Sequence, residues 1–300
     1  MWGHYTDLKV HGNMIKSAQK NNHWSLIIRP KTSWFDLHLY DLWRYRDLLL
    51  MFVRRDFVSL YKQTILGPLW FIVQPLMTTF MFVIVFDKVA EIPTDGVPPA
   101  LFYLSGLVVW NYFSTCLTKT SNTFNSNAEI FGKVYFPRLV VPLSNVISAL
   151  ISLGIQLTLL FVLLGYFYFF HDSGIYLNRY LVFLPFLLIL IALLSLGLGI
   201  IISSLTTKYR DLVFLVNFGV QLLMYATPVI YPLSFFEGKY KVLILANPLT
   251  PIIEIFRYSI LGVGEINIWH VAYSVLFTTI TLLLGVLVFN RVEKSFIDVV

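Results

Sequence analysis

Charge is what this 300-residue chain has least of. Asp, Glu, Lys and Arg make up 13% of it, where soluble domains carry about 25%. So few charges cannot clothe a water-facing surface, and 57% of the residues are hydrophobic. The composition expects a bilayer as solvent, with a soluble, core-rich domain as the alternative. A single cysteine, Cys116, excludes an intramolecular disulfide and any cysteine-rich metal site. His4, His11, His23, His38, His171 and His270 are scattered without ligand spacing. Nor is there a G-x-x-x-x-G-K-[ST] loop. "EIFGKV" and "FEGKY" have Gly-Lys without the upstream glycine or the following hydroxyl, so this chain cannot cradle a nucleotide phosphate in that way. H-E-x-x-H, G-x-S-x-G and paired-carboxylate motifs are absent too. The formal charge of +6 is spread through loops and the amino terminus. No basic groove with stacking aromatics forms, which argues against nucleic acid as a partner.

What is present is apolar length. About 20 helical residues cross the roughly 30 Å of hydrocarbon in a bilayer, and six stretches qualify: Leu66–Phe86, Ala100–Leu117, Leu139–Phe170, Tyr180–Leu205, Leu212–Tyr231 and Trp269–Phe289. The third is longer than a crossing needs, so it must tilt or project. Pro68, Pro75, Pro142 and Pro185 lie near span starts, where a missing amide donor does least harm. An even number of spans puts both termini on one side. With the termini in the cytosol, inside segments hold 17 Lys and Arg and the outside loops hold five, Lys88, Arg179, Lys239, Lys241 and Arg257; the positive-inside rule selects that orientation. The polar amino-terminal segment has no short apolar core with a cleavage site, so no cleaved signal peptide is expected.

Ahead of the first span, "DLHLYDLWRYRDLLLMFVRRDFVSLYKQ", Asp36 to Gln63, repeats apolar Leu42, Leu49, Phe52, Val53 and Leu60 at helical spacing. Arg44, Asp47, Arg54, Arg55 and Lys62 recur on the other side. This predicts a helix in the headgroup layer with its basic residues toward anionic lipid; the solvated face of a small amino-terminal domain is the alternative. Gly67-Pro68 then makes the bend into the membrane, glycine permitting the turn and proline opening a helix without losing an internal bond.

The spans hold essentially no acidic residues, so an ion-coupled carrier would lack its coupling groups. Energy for uphill movement is expected from another chain. Two cytosolic loops could receive it: "NSNAEIFGKVYFPRLVVP", Asn125 to Pro142, and "TTKYRDL", Thr206 to Leu212. Both mix charge and aromatics as a docking surface would, and as ordinary topology-setting loops also do. Outside, "KVLILANPLTPIIEIFRYSILG", Lys241 to Gly262, is apolar but broken at Asn247-Pro248 and Pro251. Two short helices that dip into the outer leaflet and return would fit it, as would an external amphipathic loop. Glu254 and Arg257, three apart on one helical face, are expected to pair.

At these residues the sequence resembles the type-2 ABC transporter permeases that export polysaccharides such as O-antigen, capsule or teichoic acid. The similar stretches are "LWRYRDLLLMFVRRDFVSLYKQTILGPLWFIVQPL" (Leu42 to Leu76), "KVYFPRLVVPLS" (Lys133 to Ser144), "KYRDL" (Lys208 to Leu212) and "NPLTPIIEIFR" (Asn247 to Arg257). The resemblance implies an all-α integral membrane protein of the bacterial inner membrane, multi-pass with cytosolic termini. Its parts would be a polar cytosolic segment (1–35), an amphipathic interface helix (36–65) and a six-span permease domain (66–300) with short re-entrant helices between the fifth and sixth spans. It also implies a homodimer served by two copies of a separate ATPase subunit. ATP and Mg belong to that subunit, and this chain is a transport permease without cofactor or enzymatic activity. Glu129, Lys133, Tyr135 and Arg138 would lie at the coupling helix the ATPase grips. Lys208, Arg210 and Asp211 form the second cytosolic loop, and Asn247, Pro248, Glu254 and Arg257 belong to the external re-entrant segment.

For the cargo, a glycan on undecaprenyl pyrophosphate, most simply O-antigen, is expected to enter from the inner leaflet at Arg54, Arg55 and Lys62. Guanidinium forks and ammonium groups suit phosphate oxygens, whether those of the cargo or of lipid headgroups. A polymer path could be lined by Tyr103, Trp110, Tyr112 and Phe113 of the second span and Phe214, Phe218 and Tyr225 of the fifth, although rings in membrane helices also serve packing and interfacial belts. Two readings compete with glycan export: drug or lipid efflux by the same type of permease, and a self-contained channel or ion-coupled carrier.

Overall fold

Backbone amides in hydrocarbon find no water, so apolar stretches close their hydrogen bonds within themselves as helices. A computed structural model of the chain describes residues 39–62, 65–134, 136–170, 178–209 and 211–296. Among these residues there is no strand, and twelve α-helices follow one another. They are α1 (Leu39–Arg44), α2 (Arg46–Lys62), α3 (Trp70–Phe82), α4 (Pro99–Ser121), α5 (Thr123–Ser126), α6 (Ala128–Lys133), α7 (Val140–Phe170), α8 (Leu184–Thr206), α9 (Leu212–Tyr225), α10 (Gly238–Leu245), α11 (Leu249–Leu261) and α12 (Ile268–Phe296). Residues 1–35, for which a polar cytosolic segment was expected, lie outside the described residues, as do Tyr135 and Arg210.

Five helical stretches are long and apolar enough to cross a membrane: Gly67–Val89, Pro99–Ser121, Val140–Phe170, Arg179–Thr206 and Ile268–Val292. The first continues α3 through a π-helical turn, Val83–Val89. The second opens on Pro99, whose absent N–H would have had no helical partner. The fifth predicted stretch differs. Its helix, α9, has 14 residues, about 21 Å, and the chain leaves helical geometry at Ala226. The stretch between α9 and α12 folds into α10 and α11, neither of spanning length.

Helix α4 is the axis. Helices α7 and α8 pack on it, α12 packs on α8, and α3, α9 and α11 touch it from other sides. The α8–α12 seam is close because glycine lets backbones meet: a Cβ on Gly285 would stand 2.8 Å from the Gly197 carbonyl oxygen. One large core surrounds α4 and runs from Leu101 to Leu117 and on to Leu261 of α11. A second, smaller core gathers Leu49, Phe52, Phe124, Phe131, Phe136, Ile200 and Phe289. It joins α2, α5, α6 and α12 at the end of the molecule opposite α11.

At the predicted bend, Gly67 takes φ +49°, a left-handed conformation costly for other residues. Pro68 follows in a short 3-10 turn, Gly67–Leu69, that leads into α3. The segment before it is helical as expected, but its apolar stripe is covered in part by protein. Leu49 and Phe52 are buried and α2 packs along α7, while Trp43, Leu50 and Met51 stay exposed.

Candidate functional site

Three groups of residues carry candidate chemistry, one at each end of the molecule and one along α9. The first comprises the α2 cations. Arg54 and Lys62 are exposed and make no ion pair with described residues. They stand eight residues apart, about 12 Å along the helix. Arg55 is already engaged: its Nε and Nη2 donate to Asp56 Oδ1 at 3.0 and 2.9 Å, and its guanidinium lies 4.7 Å from the Phe52 ring centroid. Ser148 of α7 donates to the other Asp56 oxygen at 3.4 Å. Of the three expected headgroup ligands, Arg54 and Lys62 are thus open, and Arg55 is held as part of the α2–α7 contact.

At the same end, α6 displays Glu129 and Lys133 to the outside and turns Phe131 inward against Phe124 (5.8 Å) and Phe136 (5.7 Å). Phe136 in turn meets Phe52 of α2 at 5.8 Å, and Phe124 stacks on Phe289 of α12 at 4.8 Å. Arg138 is buried, its guanidinium 5.4 Å from the Phe131 ring. It lies close in sequence to Glu129 and Lys133 but does not share their exposed surface. Sequence reasoning missed this phenylalanine cluster, because its members come from α2, α5, α6, the stretch after α6 and α12. Between α8 and α9, Lys208 and Asp211 are exposed. This turn is tied to the end of α4, where Thr206 Oγ1 donates to the Ser121 carbonyl at 2.9 Å.

The end of the molecule at α11 holds the most elaborate polar arrangement. After α9 stops, the Thr227 carbonyl accepts from Val229 N at 2.7 Å, while the carbonyls of Tyr225, Ala226, Pro228 and Val229 lack helical partners and side chains supply them. Tyr231 Oη donates to Tyr225 O at 2.9 Å. Asn247 Nδ2 donates to Thr227 Oγ1 at 2.8 Å and to Ala226 O at 3.4 Å. Arg257 Nη2 donates to Pro228 O at 3.0 Å and Val229 O at 3.4 Å. Asn247 works in both directions, since its Oδ1 accepts from Leu249 N at 3.0 Å and so starts α11. Arg257 also pairs with Glu254, Nη1 to Oε1 at 3.3 Å, and lies 3.8 Å over the Phe102 ring of α4. Gly106, one turn along α4, makes the room: a Cβ there would stand 3.0 Å from Arg257 Nη2. The other Glu254 oxygen accepts from Glu265 N at 3.2 Å, while Glu265 itself pairs with Lys241 of α10 at 2.6 Å.

Both members of the Glu254–Arg257 pair are buried, at 2% and 1% exposure. Burial is the largest influence on each. It pushes the Glu254 carboxyl up, against the opposing pull of Arg257 and the Glu265 N–H. It pulls the Arg257 guanidinium down, against Glu254. The expected pairing of these residues is therefore present. The partners that sequence reasoning missed are Phe102, Gly106 and the carbonyls after α9. One signal existed: in "YATPVIYP", Tyr225 to Pro232, two prolines four apart interrupt what otherwise reads as a single apolar run.

The expected channel rings divide. Tyr103, Trp110, Tyr112 and Phe113 are buried in this chain's own core. Phe82 and Phe86 of the first span cover Tyr103 at 6.0 and 6.4 Å, and Tyr112 Oη reaches the Val146 carbonyl of α7. In this conformation the four rings expected on α4 are covered by the chain's own helices. Phe214, Phe218 and Tyr225 of α9 are exposed, at 79%, 58% and 60%.

Comparison with known proteins accords with this architecture. Residues 47–261 match the family model described as ABC-2 type transporter, from the start of α2 to the end of α11. A Klebsiella pneumoniae protein named O-antigen export system permease protein RfbA is 29% identical over 268 residues, 87% of this chain and 97% of its own. A Myxococcus xanthus protein of the same name is 28% identical over 219 residues, 72% of this chain and 81% of its own. The polysialic acid transport protein KpsM of Escherichia coli is 20% identical over 230 residues, 77% of this chain and 87% of its own. A multi-pass helical chain matched across most of its length in this way belongs to the ABC-2 type transporter membrane family.

Proposed function

We propose that this chain is the membrane-spanning subunit of an ATP-driven exporter of a lipid-linked polysaccharide, most simply O-antigen, across the bacterial inner membrane. The observation that carries this reading is the similarity to proteins named O-antigen export permeases over nearly their whole length. ATP and Mg would be bound by a separate ATPase subunit, two copies serving a homodimer of this chain. Glu129 and Lys133 on α6, with Lys208 and Asp211, would meet that subunit. The phenylalanine cluster would carry its movement into α2 and α12. Capsule or teichoic-acid export and drug or lipid efflux are the neighbouring alternatives within the family.

A sixth crossing at α9 is supported by the capped carbonyls beyond it. Non-helical backbone is tolerated at membrane depth where protein satisfies it, and Tyr231, Asn247 and Arg257 do so here. In that reading α10 and α11 are re-entrant and close the exit, and both termini are cytosolic. Arg54 and Lys62 stand open at the inner surface, beside the first span, for a pyrophosphate headgroup.

A deletion strain tests the proposal. Surface polysaccharide should disappear while undecaprenyl-pyrophosphate-linked polymer accumulates on the cytosolic side. Normal surface polymer, with a drug or lipid retained instead, would move the chain to the efflux reading.

A further inference from the structure

One acidic side chain lies within a membrane-spanning stretch. The first crossing helix runs to Val89 through the π-helical turn Val83–Val89, and that turn carries Asp87. Turns of this kind recur at functional positions, and an ionisable group at membrane depth is tolerated only with a partner or a task. Asp87 Oδ2 is enclosed and has no hydrogen-bond partner among the described residues. The adjacent Lys88 approaches it to 3.1 Å, but that side chain is largely exposed. Two other buried atoms are in the same condition, Tyr103 Oη of α4 and Arg257 Nε of α11. Ring contacts connect the three places. Phe86, beside Asp87, lies 6.4 Å from the Tyr103 ring, Tyr103 meets Phe102 at 5.5 Å, and Arg257 lies 3.8 Å over Phe102. Asp87 and Arg257 are the charges that act on the Tyr103 hydroxyl.

Buried polar atoms nearly always find partners, and Arg257 is served on one side only. Its Nη1 and Nη2 donate to Glu254 and to the Pro228 and Val229 carbonyls, while Nε has no acceptor among the described residues. A buried guanidinium can change partners only where a second anion waits for it, because an unpaired charge in the interior is strongly unfavourable. Asp87 is such an anion. Asp95 also acts on Arg257, but it is exposed and already accepts from Ser234 Oγ at 2.7 Å. We propose that Arg257 is a two-position latch, which ties α11 to the end of α9 in the present conformation and crosses to Asp87 and Tyr103 Oη when α11 draws away from α9. Packed interiors favour two discrete arrangements of this kind over a continuum. The latch rests on the reading in which α10 and α11 close the exit. Asp87 and Tyr103 enter it as positioning residues, idle while the exit is closed.

Surface polysaccharide in cells and Tm of the detergent-solubilised full chain separate an idle group from a structural one. Asp87→Asn should lower surface polysaccharide several-fold and leave Tm unchanged, since its one partner at rest is an exposed lysine and such pairs contribute little. Tyr103→Phe should also lower export without lowering Tm, because the hydroxyl it removes has no partner in the closed state. Asp87→Glu keeps the charge and should export better than Asp87→Asn. A fall in Tm with Asp87→Asn or Tyr103→Phe would overturn the proposal, since it would mean that these groups are already bonded at rest. Normal export by Asp87→Asn would overturn it as well.

A cross-link supplies an arm that does not depend on the cargo. Cys116 is the only cysteine and is buried, so a Cys116→Ala chain is a clean background. Asn247 Nδ2 donates to Thr227 Oγ1 at 2.8 Å, and Thr227→Cys with Asn247→Cys would join the end of α9 to the start of α11. In membranes containing the full chain and its co-purifying ATPase, this disulfide should form several-fold more slowly with ATP than without. Adding Asp87→Asn should abolish the effect of ATP. If ATP slows the cross-link equally with and without Asp87→Asn, the helices part and the latch alone is wrong. If ATP changes it in neither, the exit-closing reading fails and takes the latch with it. Surface polysaccharide left intact by deletion of the chain would remove only the glycan reading, because the cross-link reports the latch whatever the cargo.

Discussion

Arg257 bears on three elements at once: its own helix through Glu254, the broken end of α9 through two carbonyls, and α4 through the Phe102 ring. Removing one member of a buried ion pair strands the other, at a cost of about 3–5 kcal/mol, whereas replacing both by apolar groups of similar size is far milder. Arg257→Met should therefore lower the Tm of the detergent-solubilised protein sharply. Arg257→Met with Glu254→Met should recover part of that loss, though not all, because the Pro228 and Val229 carbonyls stay uncapped. A double variant as unstable as the sum of the singles would show that the two charges do not act as a pair. On α2, Arg54→Ala should reduce export without affecting insertion or Tm. Arg55→Ala should affect both export and Tm, since Arg55 is tied to Asp56 and Phe52. Measuring surface polymer and Tm side by side distinguishes a headgroup ligand from a packing residue.

Among the elements, α6 is short, with two exposed charges above one buried ring. Phe131 joins Phe124, Phe136, Phe52 and Phe289 into a patch shared by α2, α5, α6 and α12. Truncating a buried phenylalanine costs about 3–5 kcal/mol, here concentrated where the ATPase is proposed to push. Phe131→Ala should leave ATP hydrolysis by the partner running while export falls; parallel loss of both activities would mean that the patch only holds the docking surface together. Elements differed in how legible they were. The bend at Gly67-Pro68 could be read directly, because a positive φ and a missing N–H are properties of two residue types. The α2 stripe was legible as a helix but not in what covers it, since α7 is distant in sequence. Helix α9 was read as too long because its apolar run continues past the point where Pro228 and side-chain caps end the helix. The burial of the α4 rings was not legible at all. Apolar spacing reports a helix and not its neighbours, and α4 is surrounded on nearly every side.

For the molecule as a whole, the scarcity of charge and the lengths of the apolar runs already demanded a multi-pass helical protein. The absence of a nucleotide-binding loop already pointed to an energy source outside the chain. What the sequence could not convey is how the two ends are built: a phenylalanine core under the coupling segment at one, and an arginine-centred polar cap at the other, with α4 between them. A push at α6 would have a packed route to α2 and α12, and α11 with the turn before it is tied to α4 and the end of α9. The central claim is that ATP hydrolysis by a partner drives a lipid-linked polysaccharide through this subunit. Inverted inner-membrane vesicles containing the chain and its co-purifying ATPase test it most directly, by following protection of labelled lipid-linked polymer from an added glycosidase. The account predicts that polymer becomes protected only when ATP is supplied, and that vesicles lacking this chain protect none. Polymer that stays fully digestible with ATP, chain and ATPase all present would contradict it.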